Sequence, residues 1–289
     1  MTPSASNPKR ALSVLVTGCS SGIGHCAAHG LRARGHRVFA AARRSADVER
    51  LRAEGLEAVM LDLDDDAGIG SGLDAVLDAT GGRLDALFNN GAYGQPGAVE
   101  DLTRAALREQ FETNLFGTAV LTNRVIPVMR RQGHGRIVMN SSLLGYAAMA
   151  YRGAYNASKF ALEGLTDTLR LELAGSGIHV SLIEPGPITS RFRANAEAAF
   201  HRHIDPAGSV HRAAYVAMAE RLARPGPAAP FTLGPEAVLD KLVHALESPH
   251  PRRRYPVTVP AHAFWWLRRL LPFCLIDRLL AAAGGSGRR

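Results

Sequence analysis

Seven short apolar, β-branched runs alternate with longer segments of helical periodicity, and this rhythm constrains the fold more than any other feature of the chain. The runs lie at 12–17, 37–41, 57–61, 86–89, 136–140, 179–184 and 255–259, with helical patterns at 23–34, 47–54, 66–79, 103–131, 153–174 and 235–247. Near-continuous apolar strands separated by helices need cover on both faces, which predicts a parallel sheet between two helical layers. The series runs without a low-complexity linker or internal repeat, so the expectation is one doubly wound α/β domain over residues 11–260 with a seven-stranded sheet. At 289 residues the chain is long enough to bury such a core. The stretch 191–230 breaks the rhythm with Ala, His, Arg and Pro and no clear strand. It reads as a lid over the carboxyl edge of the sheet.

The two ends differ from the body. Residues 1–10 are polar, contain proline and lack the apolar stretch of a signal peptide, which predicts a disordered tail and a cytoplasmic protein. The net charge of +8 is concentrated at the other end, where residues 251–289 hold eight Arg against one Asp. A nearly neutral body argues against a nucleic-acid partner. Cys19, Cys26 and Cys274 are too few and too scattered for a disulfide framework. No Cys/His set has zinc-finger spacing, so reduced thiols and no metal are expected.

The first strand runs into Thr17-Gly18-Cys19-Ser20-Ser21-Gly22-Ile23-Gly24 and then a helix. Glycines let backbone approach a pyrophosphate, and a helix N-terminus offers free N–H groups and the positive end of a dipole. In this strand–turn–helix setting the motif predicts dinucleotide binding and a Rossmann-type sheet. Such folds read the adenosine ribose about 20 residues further on, where an acid accepts hydrogen bonds from a 2′-hydroxyl. This chain has Ala40-Ala41-Ala42-Arg43-Arg44 there. Guanidinium groups suit a 2′-phosphate, so NADP(H) is expected, with Arg43 as its main contact.

Tyr155 and Lys159 stand four apart in a helical segment and so share a face. A phenol titrates near pH 10, too high for a good acid/base at neutrality, and a neighbouring ammonium lowers that value. A phenol so tuned can exchange a proton with a carbonyl or alcohol oxygen. Ser142 ends a strand thirteen residues upstream, with Ser141 as its rival.

These motifs arrive in one order: the glycine turn, Asp62, Asn89-Asn90-Gly91-Ala92, Asn114, Ser142, Tyr155-Asn156-Ala157-Ser158-Lys159 and Pro185-Gly186-Pro187-Ile188. From about residue 11 to 193 the chain resembles the short-chain dehydrogenase/reductase family. The resemblance implies Tyr155 as acid/base, Lys159 as nicotinamide-ribose ligand and tuner of the tyrosine, Ser142 as the hydroxyl that orients the carbonyl, and Asn114 as holder of a relay water. It implies coenzyme contacts from Gly18, Ser20, Ser21, Gly22, Ile23, Gly24, Arg43, Asp62, Leu63, Asn90, Gly91, Ala92, Pro185, Gly186, Ile188 and Ser190. Ser190 stands where the family usually has Thr. Ser21 stands where some NADP-using members have a basic residue, which moves the phosphate contact to Arg43 with its neighbours Ser20 and Ser21.

The stretches 155–165 and 184–192 resemble the branch with hydroxysteroid and retinol dehydrogenases and bacterial aldehyde reductases, which implies a small apolar carbonyl or alcohol as substrate. Tyr93, Leu143, Met149, Tyr151, Pro187 and Phe192 are candidate pocket residues. Residues 261–289 read as a basic amphipathic extension, with Pro272 kinking its helix. Its apolar face could cap the pocket, meet a second copy in a homo-oligomer, or lie on an anionic inner-membrane surface, the first two being favoured. A coenzyme-binding redox sensor without turnover is the alternative to an enzyme, and the complete Ser/Tyr/Lys/Asn set argues against it.

Overall fold

A computed structural model of the chain describes residues 10–223, 226 and 229–284. The predicted tail lies outside the described residues except for Arg10, which is no part of a loose end: its Nη2 donates to Asp85 Oδ1 at 3.0 Å. Residues 285–289 of the predicted extension also lie outside them.

Strands β1 (Ser13–Val16), β2 (Arg37–Ala42), β3 (Glu57–Met60), β4 (Ala86–Asn89), β5 (Gly135–Asn140), β6 (Ile178–Pro185) and β7 (Arg254–Val257) form one parallel sheet in the order β3-β2-β1-β4-β5-β6-β7. Side chains alternate across it. Val14 and Val16 enter the core under α1 (Gly22–Ala33), α2 (Ser45–Ala53) and α9 (Glu236–Glu247). Leu15, between them, enters the core under α3 (Asp66–Thr80), α5 (Thr118–Gln132) and α6 (Gly153–Glu172). Val14, Leu15 and Val16 are all fully buried, which is why the strand reads as an unbroken apolar run. Truncating Leu15 to Ala costs about 2–5 kcal/mol.

Three stretches depart from the sequence-based expectation. The helix predicted over 103–131 is interrupted: α4 (Arg104–Phe111) widens into a π-helical turn, Glu112–Gly117, before α5. Such turns re-aim a side chain within a helix, and this one carries Asn114. Residues 191–230, expected to form a lid, hold α7 (Phe192–His203) and α8 (Arg212–Ala223), packed through Phe200, Ile204, Tyr215 and Met218. Their alanine-rich composition lacks a clean amphipathic period, and packing in place supplies what propensity does not. The C-terminal segment forms α10 (Val259–Leu270) and α11 (Phe273–Gly284), broken rather than kinked. Leu271 is extended (φ −103°, ψ 146°), as the residue before Pro272 is sterically pushed to be.

Candidate active site

The strand order reverses between β1 and β4, so a crevice opens beyond their carboxyl ends, where open α/β sheets bind ligands. The turn after β1 lies in it. Gly18 has φ +70°, and a Cβ there would fall 2.7 Å from Gly91 Cα. A Cβ on Gly24 would fall 2.3 Å from the Gly18 carbonyl oxygen. Only hydrogen fits at either position, so backbone lines the cradle. Ser21 is the N-cap of α1 but makes no side-chain capping bond, which leaves the first N–H groups of that helix without side-chain partners among the described residues. A negatively charged group fits such a donor set.

The rest of the crevice is tied to this turn. Thr17 Oγ1 accepts from the N–H groups of Asn90 and Gly91, both at 2.9 Å, and Asn90 Nδ2 donates to the Thr17 carbonyl at 2.9 Å. Ala92 follows, half-buried. Leu63 Cδ1 packs on Gly91, while the Asp62 carboxylate accepts from the Asp64 N–H at 3.2 Å. Ile23 and Ile188 pack on the same core beneath the turn, and the Ser190 side chain lies against Gly22. Pro185 ends β6, and the Gly186 N–H donates to Val257 O at 2.9 Å. Ser20 gives its carbonyl to Arg50 Nη2 at 2.7 Å. Arg43 follows β2, exposed and without a hydrogen bond or ion pair among the described residues; its charge is felt by Asp64 and Tyr93.

On the other flank stand Asn114, Ser142, Tyr155 and Lys159. Asn114, almost fully buried, accepts from the Tyr93 N–H at 3.1 Å and donates to Tyr93 O at 2.9 Å and to Ser158 Oγ at 3.1 Å. Ser142 Oγ accepts from the Leu144 N–H at 3.0 Å and lies beside the Tyr155 hydroxyl. Ser141 takes the opposite side of the strand, next to Glu163. Lys159 Nζ donates to Asn140 O at 2.7 Å, and Asn140 Nδ2 donates to Asn90 Oδ1 at 2.9 Å. Asn140 thus links the helix that carries Tyr155 to the glycine turn.

Burial dominates the electrostatics. It pushes the Tyr155 phenol up to about 12, with the Ser142 hydroxyl and the Arg152 cation pulling the other way. It pulls Lys159 down to about 8, with Glu163 opposing. Lys159, expected to tune the phenol, stands one helical turn from Tyr155 on the same face of α6. Its Nζ is 5.8 Å from the Tyr155 ring centroid and is turned to Asn140, and Arg152 supplies the nearby charge.

Sequence reading did not pick out Asn140, Ser158, Arg152 or Thr258. A polar residue ending an apolar strand was the available signal for Asn140. Thr258 has φ +85°, and its buried Oγ1, set against Gly186, lacks a partner among the described residues. Of the candidate pocket residues, Phe192 stacks edge-on to Tyr155 with ring centroids 5.3 Å apart. Tyr151 packs with α7 and α8, and Leu143 and Met149 pack with α10 and α11.

A phosphate-binding turn and a tyrosine–lysine helix across one switch-point crevice define a dinucleotide-dependent oxidoreductase. The chain belongs to the short chain dehydrogenase family, whose model matches residues 12–200. It is 44% identical over 268 residues, 93% of each chain, to the Escherichia coli K12 protein described as uncharacterized oxidoreductase YbbO. It is 32% identical to human 17-beta-hydroxysteroid dehydrogenase type 1, over 85% of this chain and 77% of the relative. Human retinol dehydrogenase 8 is 37% identical over 62% of this chain and 60% of its own length. Two solved structures are similar as well. A Burkholderia phymatum short chain dehydrogenase/reductase in complex with NAD has TM-score 0.76 and 26% identity, covering 91% of this chain and 94% of its own. A single-substitution variant of actinorhodin polyketide ketoreductase with NADPH has TM-score 0.69 and 29% identity, covering 86% and 95%. The family's fold binds a nicotinamide coenzyme, and both forms of it occur among these neighbours.

Proposed function

We propose that this protein is an NADP(H)-dependent oxidoreductase that interconverts an apolar aldehyde or ketone with its alcohol, using Tyr155 as acid/base. The observation that carries this reading is the hydrogen-bonded chain Lys159–Asn140–Asn90–Thr17, which ties the helix carrying Tyr155 to the glycine turn. It fixes a proton-donating phenol against a coenzyme cradle, and a binder without turnover has no need of it. When bound, the coenzyme supplies or accepts the hydride.

The chain's own residues do the rest. Ser142 orients the substrate oxygen toward the phenol. Tyr155, protonated at neutral pH, gives its proton to that oxygen in reduction; in oxidation the phenolate, its own proton first passed to solvent, accepts the proton of the alcohol. Lys159 holds the nicotinamide ribose, and Asn114 holds a water through which the phenol is reprotonated. Gly18, Ser20, Ser21, Gly22, Ile23 and Gly24 cradle the pyrophosphate. Asp62 and Leu63 flank the adenine, and Asn90, Gly91 and Ala92 its ribose. Pro185, Gly186, Ile188 and Ser190 line the carboxamide. Arg43, without a hydrogen bond or ion pair among the described residues at the end of β2, pairs with the 2′-phosphate. The apolar ring of Phe192 on Tyr155 favours an apolar substrate body.

NADPH oxidation across a panel of aldehydes, ketones, retinal and ketosteroids tests this reading. Turnover with several apolar carbonyls, lowered by about 10²–10⁴-fold in Tyr155→Phe, is expected. Binding of NADPH without turnover of any of them would favour a redox sensor.

A further inference from the structure

Outside the crevice, on the far side of α1, two imidazoles and a carboxylate converge. His25 and His29 stand four apart on α1 and so face the same way. His25 Nε2 lies 2.7 Å and His29 Nε2 2.8 Å from the same oxygen, Oε2 of Glu54, the residue that ends α2. One ligand atom from each of the three lies within 4.8 Å of the others. All three side chains are about one-third exposed, so water reaches the group. The histidines also border a cleft of about 550 Å³ between α1 and the start of α9.

We propose that His25, His29 and Glu54 form a binding site for a zinc-like transition-metal ion, with solvent in the fourth position. Two neutral imidazoles and one carboxylate are the donor set that zinc takes when one coordination position stays open. With metal–ligand distances of about 2.0–2.1 Å, tetrahedral donors stand roughly 3.3 Å apart. The present N···O separations need to open by only about half an ångström, which side-chain torsions supply. Each imidazole carries its proton on Nδ1 once Nε2 takes the metal.

The carboxylate is already oriented for this. Arg50 Nη1 donates to the other oxygen, Glu54 Oε1, at 2.7 Å, which leaves Oε2 to the histidines. Such outer partners fix ligand geometry in metal sites. Asp47, 3.2 Å from Arg50 Nη2, offsets the guanidinium charge. The bound ion staples α1 to the end of α2. Arg50 also holds the Ser20 carbonyl, so the site abuts the turn that carries Gly22 and Gly24. Sequence spacing hides the set, because the third ligand comes 25 residues after His29, at the end of another helix.

The test uses the full chain, free of affinity tags and stripped with a chelator, titrated calorimetrically with ZnCl2. One equivalent of saturable zinc is expected, together with zinc-dependent loss of the visible d–d bands of bound Co²⁺. Dissociation constants should rise about tenfold or more in His29→Asn and in Glu54→Gln, by analogy with the 10–100-fold cost of disturbing even outer partners of metal sites. The exposed His201→Asn should bind like the parent. Zinc should raise the melting temperature of the parent and not that of His29→Asn, since only an ion bound to the folded state stabilises it. Absence of saturable binding in the parent overturns the proposal, as does equal affinity in the parent, His29→Asn and Glu54→Gln.

Discussion

The two walls of the crevice are built by different means. The coenzyme wall is backbone held by polar side chains: Gly18 and Gly24 admit no side chain, and Thr17, Asn90 and Asn140 hydrogen-bond the loops to one another. The wall proposed for the substrate is apolar packing brought from outside the sheet. The loop after Ser142 carries Leu143 and Tyr146, which pack on Ala261, Ile276 and Leu280 of the C-terminal helices, while α7 brings Phe192 onto Tyr155. Polar networks demand particular residue types because an unpaired buried group is costly. Apolar packing accepts any side chain of suitable volume. One wall is therefore suited to holding a fixed coenzyme, and the other to varying with substrate.

Tyr155 stands where the walls meet, and its loss should separate them most sharply. Tyr155→Phe removes the proton donor and keeps the ring that packs on Phe192. Turnover should fall by about 10²–10⁴-fold, the range for general acid/base catalysis. NADPH affinity, followed by quenching of intrinsic fluorescence, should stay within about twofold. A variant that keeps most of the parent kcat would remove Tyr155 from the mechanism.

Arg43 sharpens the coenzyme wall alone. A charge-assisted contact contributes about 1.5–3 kcal/mol, so Arg43→Ala should weaken NADPH by about one to two powers of ten at 1.4 kcal/mol per decade. NADH has no 2′-phosphate and should be unaffected. Ala42→Asp should repel the phosphate and move preference toward NADH. The measurement is kcat/KM for both coenzymes in each variant. Equal losses with both in Arg43→Ala, or a parent that prefers NADH, would make Arg43 a surface charge.

The same contrast decides what was legible in the sequence. The seven strands and their turns were readable because central strands are apolar on both sides and the turns need glycine. The order of Asn90, Asn114, Ser142, Tyr155 and Lys159 was readable through the resemblance of the spaced motifs to the short-chain dehydrogenase/reductase family. The π-helical turn was not: Glu112–Gly117 keeps an ordinary helical composition, and the widening goes with Asn114 binding both backbone groups of Tyr93. Nor were α7 and α8, whose alanines pack without a clear period. Arg152 escaped because a lone Arg before a tyrosine is commonplace on a surface, and only the fold buries it beside the phenol.

Lys159 offers a smaller and graded effect. Burial brings its ammonium down to about 8, while the phenol at about 12 stays protonated throughout the useful range. Lys159 therefore keeps its charge below about pH 8 and loses it above. The kcat/KM for carbonyl reduction should be level near neutrality and fall toward tenfold per pH unit above about 8. Lys159→Arg, charged throughout because its pKa exceeds about 12, should have a lower plateau and no such fall. A parent profile level to about pH 10 would contradict this assignment.

The smallest expected stability effect lies on the outer face of the substrate wall. In α10 and α11, Ala261, Ile276 and Leu280 are buried, whereas Trp266 is 58%, Leu270 73% and Phe273 78% exposed. No helix among the described residues is long and apolar enough to cross a membrane. An apolar row beside Arg268, Arg269 and Arg278 suits a peripheral anionic surface, which we propose as its contact. Ile276→Ala leaves a cavity and should cost about 2–4 kcal/mol, but Phe273→Ser should change stability by less than about 0.5 kcal/mol, as exposed substitutions do. Sedimentation with anionic vesicles should be salt-sensitive in the parent and weakened in Leu270→Ser/Phe273→Ser, with neutral vesicles binding less. Equal sedimentation with both vesicle types would sink the membrane contact. A Phe273→Ser protein destabilised as much as Ile276→Ala would mean that the row is already covered in solution, and a concentration-dependent melting temperature would then identify a second copy of the chain as the cover.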